Sequence, residues 1–166
     1  LLKGALYWYQ HGGNRFAAFI AVGLSEMTGQ VAVSLLPALL LAGWAAAAYF
    51  ALNALTRLLG WQVSRLRMVT AALGWVFFAA YTSPDRLQTL YWRMGLLHYS
   101  LPLVLLLVQA GVLLRTVQGQ AARTKLGWLM MGLSGLLSLF SAGLSETAAA
   151  LQTSLYLLAA GWLAWK

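Results

Sequence analysis

The sequence predicts an all-α fold: a polytopic transmembrane helical bundle of about five spans, with an interfacial helix on the outer face. The 166 residues are 61% hydrophobic and only 8% charged, and their mean hydropathy is +0.75. A soluble domain carries about 25% charged residues. Several apolar stretches reach the roughly 20 residues that a membrane span needs. We therefore expect residues 1–166 to form a single transmembrane helical region, an excerpt of a longer chain.

Residues 1–30 are predicted to form an interfacial segment. Aromatic and amide side chains fill residues 1–15, a mixture typical of the membrane interface. Polar residues interrupt the apolar stretch in 16–30, which predicts a short helix lying on or dipping into the outer leaflet, with a half-membrane helix as the alternative. Residues 31–166 hold the predicted spans, which are 31–57, 61–81, 96–115, 126–142 and 148–165.

Small residues at Gly43, 45–48, Gly132 and Gly135 are expected to allow close contact between these spans.

Basic residues divide unevenly between alternate loops. Because positive loops are retained on the cytoplasmic side, the more basic set predicts the orientation. That set holds seven basic residues and no acid: Arg57, Arg65, Arg67, Arg115, Arg123, Lys125 and Lys166. The other set holds Lys3, Arg15, Arg86 and Arg93 together with all three acids, Glu26, Asp85 and Glu146. Residues 1–30, 82–95 and 143–147 are therefore predicted on the non-cytoplasmic face.

The basic excess also bears on partners and cofactors. Membrane orientation and contact with anionic lipids account for it, so we predict membrane lipids and no nucleic acid as partners. The chain has no cysteine and only two distant histidines, and it lacks the common phosphate-loop, zinc-protease and serine-hydrolase motifs. No metal site and no cofactor are predicted, and the need for a divalent cation is left open.

The segment between the second and third predicted spans has the richest chemistry. Ser83 is expected to cap a helix whose first turn contains Pro84 and Asp85. Further along this helix, Arg93 and His98 are a candidate cradle for a phosphate or another anionic head group. Anchoring at the membrane interface is the alternative role for Arg93.

Two further residues of the predicted outer face are candidates. Arg15 follows a glycine pair and an asparagine, which would let it approach a ligand closely. Glu146 borders an apolar helix, where an unpaired carboxylate is costly, so we expect it to pair with Arg93 or Arg15. A structural ion pair and a role in a binding site both remain open for Glu146.

An ordered set of motifs resembles a known group of proteins. The set comprises Tyr7-Trp8-Tyr9, Gly13-Asn14-Arg15-Phe16, Ser83-Pro84, Tyr91-Trp92, Gly95, Tyr99, Pro102 and Gly143-x-Ser145-Glu146. It resembles the uncharacterised bacterial polytopic membrane proteins related to GT-C-type glycosyltransferases. Residues 91–99 fit their Tyr-Trp-x-x-Gly-x-x-x-Tyr helix, whereas Asn14 splits their Gly-Arg pair.

The resemblance implies transfer of a sugar from a polyprenyl-phosphate donor on the non-cytoplasmic face of the bacterial plasma membrane. Arg15 and Arg93, with His98, would bind the donor phosphate, and Glu146 would orient an arginine or bind sugar hydroxyls. The aromatic lining would comprise Trp8, Tyr91, Trp92 and Tyr99. The catalytic acid is expected upstream of Leu1, so no catalytic residue is assigned.

Two other classes remain open. A non-catalytic structural subunit would use its aromatic and small-residue faces to pack against other membrane subunits in a larger complex. A transporter is the third class, but the near absence of acids within the spans argues against proton coupling.

Overall fold

The computed structural model describes residues 3, 6–7, 10–11, 15–118 and 124–165, and within these ranges it is 88% helical with no strand. The prediction of an all-α fold is therefore confirmed. The α-helices are α1 (Phe16–Met27), α2 (Gly29–Leu58), α3 (Arg65–Thr82), α4 (Arg93–Gly95), α5 (Leu101–Val117), α6 (Lys125–Ala142) and α7 (Glu146–Trp165). Two π-helical turns, Leu87–Tyr91 and Leu96–Ser100, flank the short α4.

Two helical stretches in the described chain are long and apolar enough to cross a membrane: Ser34–Leu58 and Arg93–Val117. The sequence predicted about five such spans, and that number is not confirmed. The remaining predicted spans are shorter or more polar. Helix α3 has Arg65 and Arg67 in its first turn, the apolar part of α6 is limited to Gly127–Ala142, and α7 begins with an acid.

Helices α2 and α5 form the central pair and run parallel. Gly43 of α2 faces Val104, and further along both helices Phe50 lies against Gly111. At their far ends the Gln118 Nε2 atom donates a hydrogen bond to the Ala54 carbonyl oxygen at 2.9 Å. The residue numbers rise together along the contact, which is the order expected for the first and third of three alternating helices.

Helices α3 and α6 run antiparallel to this pair, and α7, which begins at the same end as α5, runs parallel to it. The start of α3 meets the end of α2, where the Thr56 hydroxyl lies 3.8 Å from the Met68 sulfur. Further along, Val76 packs with Trp44 in a buried cluster. Helices α6 and α7 join α5 through a polar cluster, in which the Tyr156 hydroxyl bonds to Ser138 and donates to Gln109 Oε1 at 3.5 Å.

Glycines that allow close helix contact are partly different from those predicted. A Cβ atom at Gly132 or Gly135 would meet nothing within 4 Å, so these two do not serve contacts within the described chain. Gly111, by contrast, faces the Phe50 ring directly, and a Cβ atom at Gly143 would lie 2.6 Å from Phe16 Cζ. Composition alone did not distinguish glycines on the packed faces from those on the outer faces.

Helix α1 is packed into one end of the bundle. Its Ala17 and Ala18 are fully buried with Leu144, and the Ala17 N–H donates to the Gly143 carbonyl at 3.2 Å. Gly29, with a φ of +75°, makes the turn from α1 into α2. Twelve residues give a helix of about 18 Å, about three fifths of the thickness of a bilayer core of roughly 30 Å.

Candidate functional site

One end of the bundle collects the three segments that the charge count assigned to the non-cytoplasmic face. Residues 15–27 contact the loop before α7 through the Ala17–Gly143 hydrogen bond. The same segment meets residues 93–101, because Ala21 and Val22 pack beside Leu96 and Leu97. This shared end is a feature of the fold. Its placement outside the cytoplasm remains a prediction.

The aromatic helix predicted over 91–99 is interrupted at Trp92. This residue has an extended ψ of 114°, and its N–H donates to the Leu87 carbonyl at 2.7 Å, closing the first wide turn. The Trp92 carbonyl then accepts from Leu96 N–H at 2.8 Å. Gly95 lies directly against the Gln88 carbonyl oxygen, so a side chain there would collide with backbone. π-Helical turns are rare and are frequent at functional sites.

The start of this segment also differs from the prediction. The side chain that caps it is Asp85, whose Oδ1 accepts from Gln88 N–H at 2.9 Å. Ser83, predicted as the cap, instead bonds to the Thr89 hydroxyl at 2.9 Å. Both hydroxyls therefore belong to the interior of the segment.

Arg93 forms the closer of the two ion pairs in the described chain. Its Nη2 atom lies 2.9 Å from Glu26 Oε1, at the C-terminal end of α1. The Arg93 side chain is 29% exposed and the Glu26 side chain 59%. The pairing leaves other guanidinium N–H groups of Arg93 for an additional anion.

Arg15 and Glu146 form the second pair, with 3.9 Å between Arg15 Nε and Glu146 Oε1. The sequence predicted Arg93 or Arg15 as the partner of Glu146, and the structure selects Arg15. The two pairs lie at opposite ends of α1, about 16 Å apart by the rise of a helix from residue 15 to residue 26. Arg15 and Glu146 are therefore separated from the Arg93 guanidinium by most of the length of α1.

His98 is directed into the protein. It is only 9% exposed, and its Nδ1 atom lies 2.7 Å from the Met94 carbonyl oxygen on the same helix. In the cradle predicted from Arg93 and His98, the anion would have to contact the other ring nitrogen of His98, Nε2. Because its side chain is buried, the main role of His98 in this structure is packing.

The predicted aromatic lining divides in three. Tyr91 and Trp92 are exposed at the end of the bundle. Tyr99 is half-exposed and borders a cavity. Trp8 lies outside the described residues.

The cavity has a volume of about 310 Å³ and lies between α2, α3 and the π-helical segment. None of the described residues that line it is charged, and five carry a hydroxyl. The lining residues are Trp44, Ala79, Ala80, Thr82, Ser83, Pro84, Thr89, Leu90, Tyr99, Ser100 and Leu103.

Trp44 is the residue of this cavity that the sequence did not identify. It is 5% exposed, and its indole Nε1–H is buried without a hydrogen-bond acceptor among the described residues. A buried donor without a partner costs roughly 1–3 kcal/mol, so an acceptor brought by a ligand would be favoured once a small movement of the side chain exposed the N–H to the cavity. The sequence signal was weak, since Trp44 lies in an apolar run in which Tyr49 is the only residue with a polar side-chain group within eight positions.

Chemically, this end combines an uncharged cavity rich in hydroxyl groups with a partly buried arginine. Thr89 and Leu90 line the cavity just before Arg93, and Tyr99 and Ser100 line it just after. Among the described residues, no group of three His, Cys, Asp or Glu side chains could hold a metal ion.

Comparison of the chain with protein-family models, with curated proteins and with solved structures gives no match.

Proposed function

We propose that this chain belongs to an integral membrane protein that binds a polyprenyl-phosphate sugar at the end of the bundle formed by α1 and residues 82–100. The sugar would occupy the cavity beside Trp44, and Arg93 would bind the phosphate. In the full protein the bound sugar would be transferred to an acceptor on the non-cytoplasmic face, as the resemblance to GT-C-type glycosyltransferases implies.

The membrane part of the proposal is about five spans in a bacterial plasma membrane. Ser34–Leu58 and Arg93–Val117 support it by length and composition. Helices α3, α6 and α7 support it by their outward faces, on which large apolar residues are exposed. Examples are Phe77, Phe78, Leu136 and Leu158, each at least 66% exposed. Lipid is the solvent that suits such surfaces.

The observation that carries the ligand is the buried Trp44 indole at a hydroxyl-lined cavity. Sugars offer neutral hydroxyl groups that both accept and donate hydrogen bonds, which matches a lining of Ser, Thr and Tyr hydroxyls without charge. Residues on both sides of Arg93 in sequence line the cavity, so we expect a phosphate beside the sugar to be within reach of Arg93. A guanidinium group favours phosphate oxygens as hydrogen-bond acceptors.

The test uses the full-length protein and two ligands, a labelled polyprenyl-phosphate sugar and polyprenyl phosphate without sugar. Arg93→Ala should weaken binding of both ligands roughly tenfold or more, because hydrogen bonds to charged groups are worth about 1.5–3 kcal/mol. Trp44→Phe should weaken only the sugar-bearing ligand, roughly fivefold, because one neutral hydrogen bond is lost. Transfer of the label should fall in parallel.

Arg86→Ala is the matched control, since Arg86 is an arginine of the same segment that stacks over the exposed Tyr81 ring at 5.3 Å. It should leave both affinities unchanged. Undiminished binding and turnover in Arg93→Ala would remove Arg93 from its stated role. An equal loss of affinity for both ligands in Trp44→Phe would contradict the proposal that the sugar occupies the cavity.

A non-catalytic subunit of a larger membrane complex is the second candidate. The arrangement of the acids favours it: Glu26 and Glu146 are paired with arginines, and Asp85 accepts from a backbone N–H. No carboxylate of this chain is thus free of a structural partner. Isolation in a mild detergent with a stoichiometric second chain, and without binding of the labelled donor, would favour the subunit over the enzyme.

A further inference from the structure

A second cavity lies at the opposite end of the bundle, where α2 connects to α3. Its volume is about 410 Å³, and it contains two arginines, Arg57 and Arg65. Asn53, Trp61 and Gln62 add amide and indole groups to its lining. This cavity is separate from the one beside Trp44, because it is formed by the other ends of the same two helices.

Among the residues that the structure describes, no carboxylate forms an ion pair with the arginines of this cavity. The whole sequence contains three acids, Glu26, Asp85 and Glu146. Two of them pair with arginines at the other end of the bundle, and the third caps the segment after α3. No carboxylate of this chain is left to neutralise Arg57 and Arg65.

The arginines are also positioned rather than simply exposed. Arg57 Nε donates to the Asn53 Oδ1 atom at 2.9 Å, so a neutral acceptor orients the guanidinium without reducing its charge. Arg65 begins α3, and the first turn of that helix contains no acid. A helix N-terminus carries partial positive charge, which adds to that of the arginine and makes a bound anion more favourable there.

The aromatic residues indicate where the anion would come from. Trp61, which is 63% exposed, lines this cavity, and Tyr49 lines it from α2. Amphipathic rings beside arginines at the end of an apolar helix are typical of the head-group level of a membrane. Charge counting predicts that this is the cytoplasmic side, where anionic lipids give the surface its negative potential.

We propose that the cavity between Arg57 and Arg65 binds the phosphate group of an anionic phospholipid of the cytoplasmic leaflet. Arg57, held by Asn53, and Arg65 would each donate to the phosphate oxygens. Gln62 and Trp61 would contact the polar head group. The proposal rests on the membrane placement, but it does not depend on the sugar site, which is at the other end.

The experiment measures binding of short-chain phosphatidylglycerol, phosphatidylcholine and inorganic phosphate to the purified full-length protein in neutral detergent. Phosphatidylglycerol should bind and raise the melting temperature, and phosphatidylcholine should bind at least roughly tenfold more weakly. The double variant Arg57→Gln/Arg65→Gln should lose at least a factor of about ten in phosphatidylglycerol affinity. The matched control Arg67→Gln/Arg86→Gln removes the same charge outside the cavity lining and should keep the affinity.

Each other result counts against the proposal. Equal loss in the two double variants would mean a diffuse charge effect, and equal binding of both lipids would mean no recognition of anionic head groups. Stabilisation by millimolar inorganic phosphate, without any by phosphatidylglycerol, would assign the cavity to a free anion and overturn the lipid. If Arg57→Gln/Arg65→Gln does not fold, Asn53→Ala serves instead, since loss of the orienting bond should weaken phosphatidylglycerol binding a few-fold and leave that of phosphatidylcholine unchanged.

Discussion

Gly95 has the closest surroundings of the glycines that the structure describes. The Gln88 carbonyl oxygen occupies the position that a Cβ atom would need, and the Trp92 ring lies 3.0 Å from it. Because the obstructing atom belongs to the backbone, it cannot turn away as a side chain can. The residue is thus required by the fold of the segment that contributes Thr89, Leu90, Tyr99 and Ser100 to the cavity.

Replacement of Gly95 by alanine should therefore destabilise the protein by roughly 1–3 kcal/mol, the usual cost of overpacking. Gly74→Ala is the control, because a Cβ atom there meets nothing within 4 Å and helix propensity favours alanine by about 1 kcal/mol. Thermal unfolding of detergent-solubilised protein measures both variants. A Gly95→Ala protein as stable as Gly74→Ala would show that the π-helical turn tolerates a methyl group.

The sequence predicted that Glu146 pairs with Arg93 or Arg15, and the structure pairs it with Arg15. Arg15, Arg93 and Glu146 stood out because charge is rare in an apolar chain, and all three are indeed in ion pairs. Which arginine meets which acid could not be predicted, since it depends on how α1 lies against the bundle. Trp44 was missed because a tryptophan within an apolar helix has the same sequence pattern whether or not its indole finds an acceptor.

Between elements, the contact of α5, α6 and α7 depends on a buried polar cluster as well as on apolar packing. Gln109 is fully buried, Ser138 is 8% exposed, and the Tyr156 hydroxyl contacts both. In a membrane, where we propose that these helices lie, hydrogen bonds between helices average about 0.6 kcal/mol and reach about 1.7. A hydroxyl that serves two partners should lie toward the upper part of that range.

Tyr156→Phe should accordingly lower stability by about 1–2 kcal/mol, because it removes that hydroxyl and leaves Gln109 and Ser138 short of a partner. Tyr81→Phe is the matched control, since the Tyr81 side chain is 61% exposed. Unfolding in a graded mixture of mild and denaturing detergents compares the two. Should the variants lose the same stability, the cluster would contribute nothing specific to the packing of α7.

The elements themselves were predicted unevenly. The long apolar runs of α2 and α5 were correctly placed as helices, because an apolar stretch of that length has few other solutions. The break at Trp92 was not predicted, since Tyr91-Trp92-Arg93 contains no proline or glycine to signal it. The break lies beside a close contact within the same segment, in which the Gln88 carbonyl oxygen lies against Gly95.

For the whole molecule, alternation of the helices groups the connecting segments into two ends. Residues 82–100 and the loop before α7 are at one end with α1, and the connection from α2 to α3 is at the other. The same two groups follow from counting charges along the sequence. The helix order was thus accessible from the sequence, whereas the depth of each helix in a membrane depends on lipid contacts that no residue pattern fixes.

Single cysteines test the orientation directly, because the chain has none of its own. Gln88→Cys and Gln62→Cys place an exposed thiol at each end. In intact cells that express the full-length protein, a membrane-impermeant maleimide should label Gln88→Cys at once and Gln62→Cys only after permeabilisation. The reverse pattern would show that the orientation is opposite to the predicted one. Equal labelling of both variants in intact cells would contradict the placement of α2 and α3 across a membrane.

The separation of charge between the two ends has an electrical consequence. Four basic residues and three acids fall in one set of predicted loops, whereas seven basic residues and no acid fall in the other. A bacterial cell is negative inside, and each elementary charge that crosses 100 mV changes the free energy by about 2.3 kcal/mol. The potential of an energised cell therefore opposes transfer of the basic end outward and favours the predicted orientation, so collapse of that potential during synthesis should increase the fraction of inverted chains.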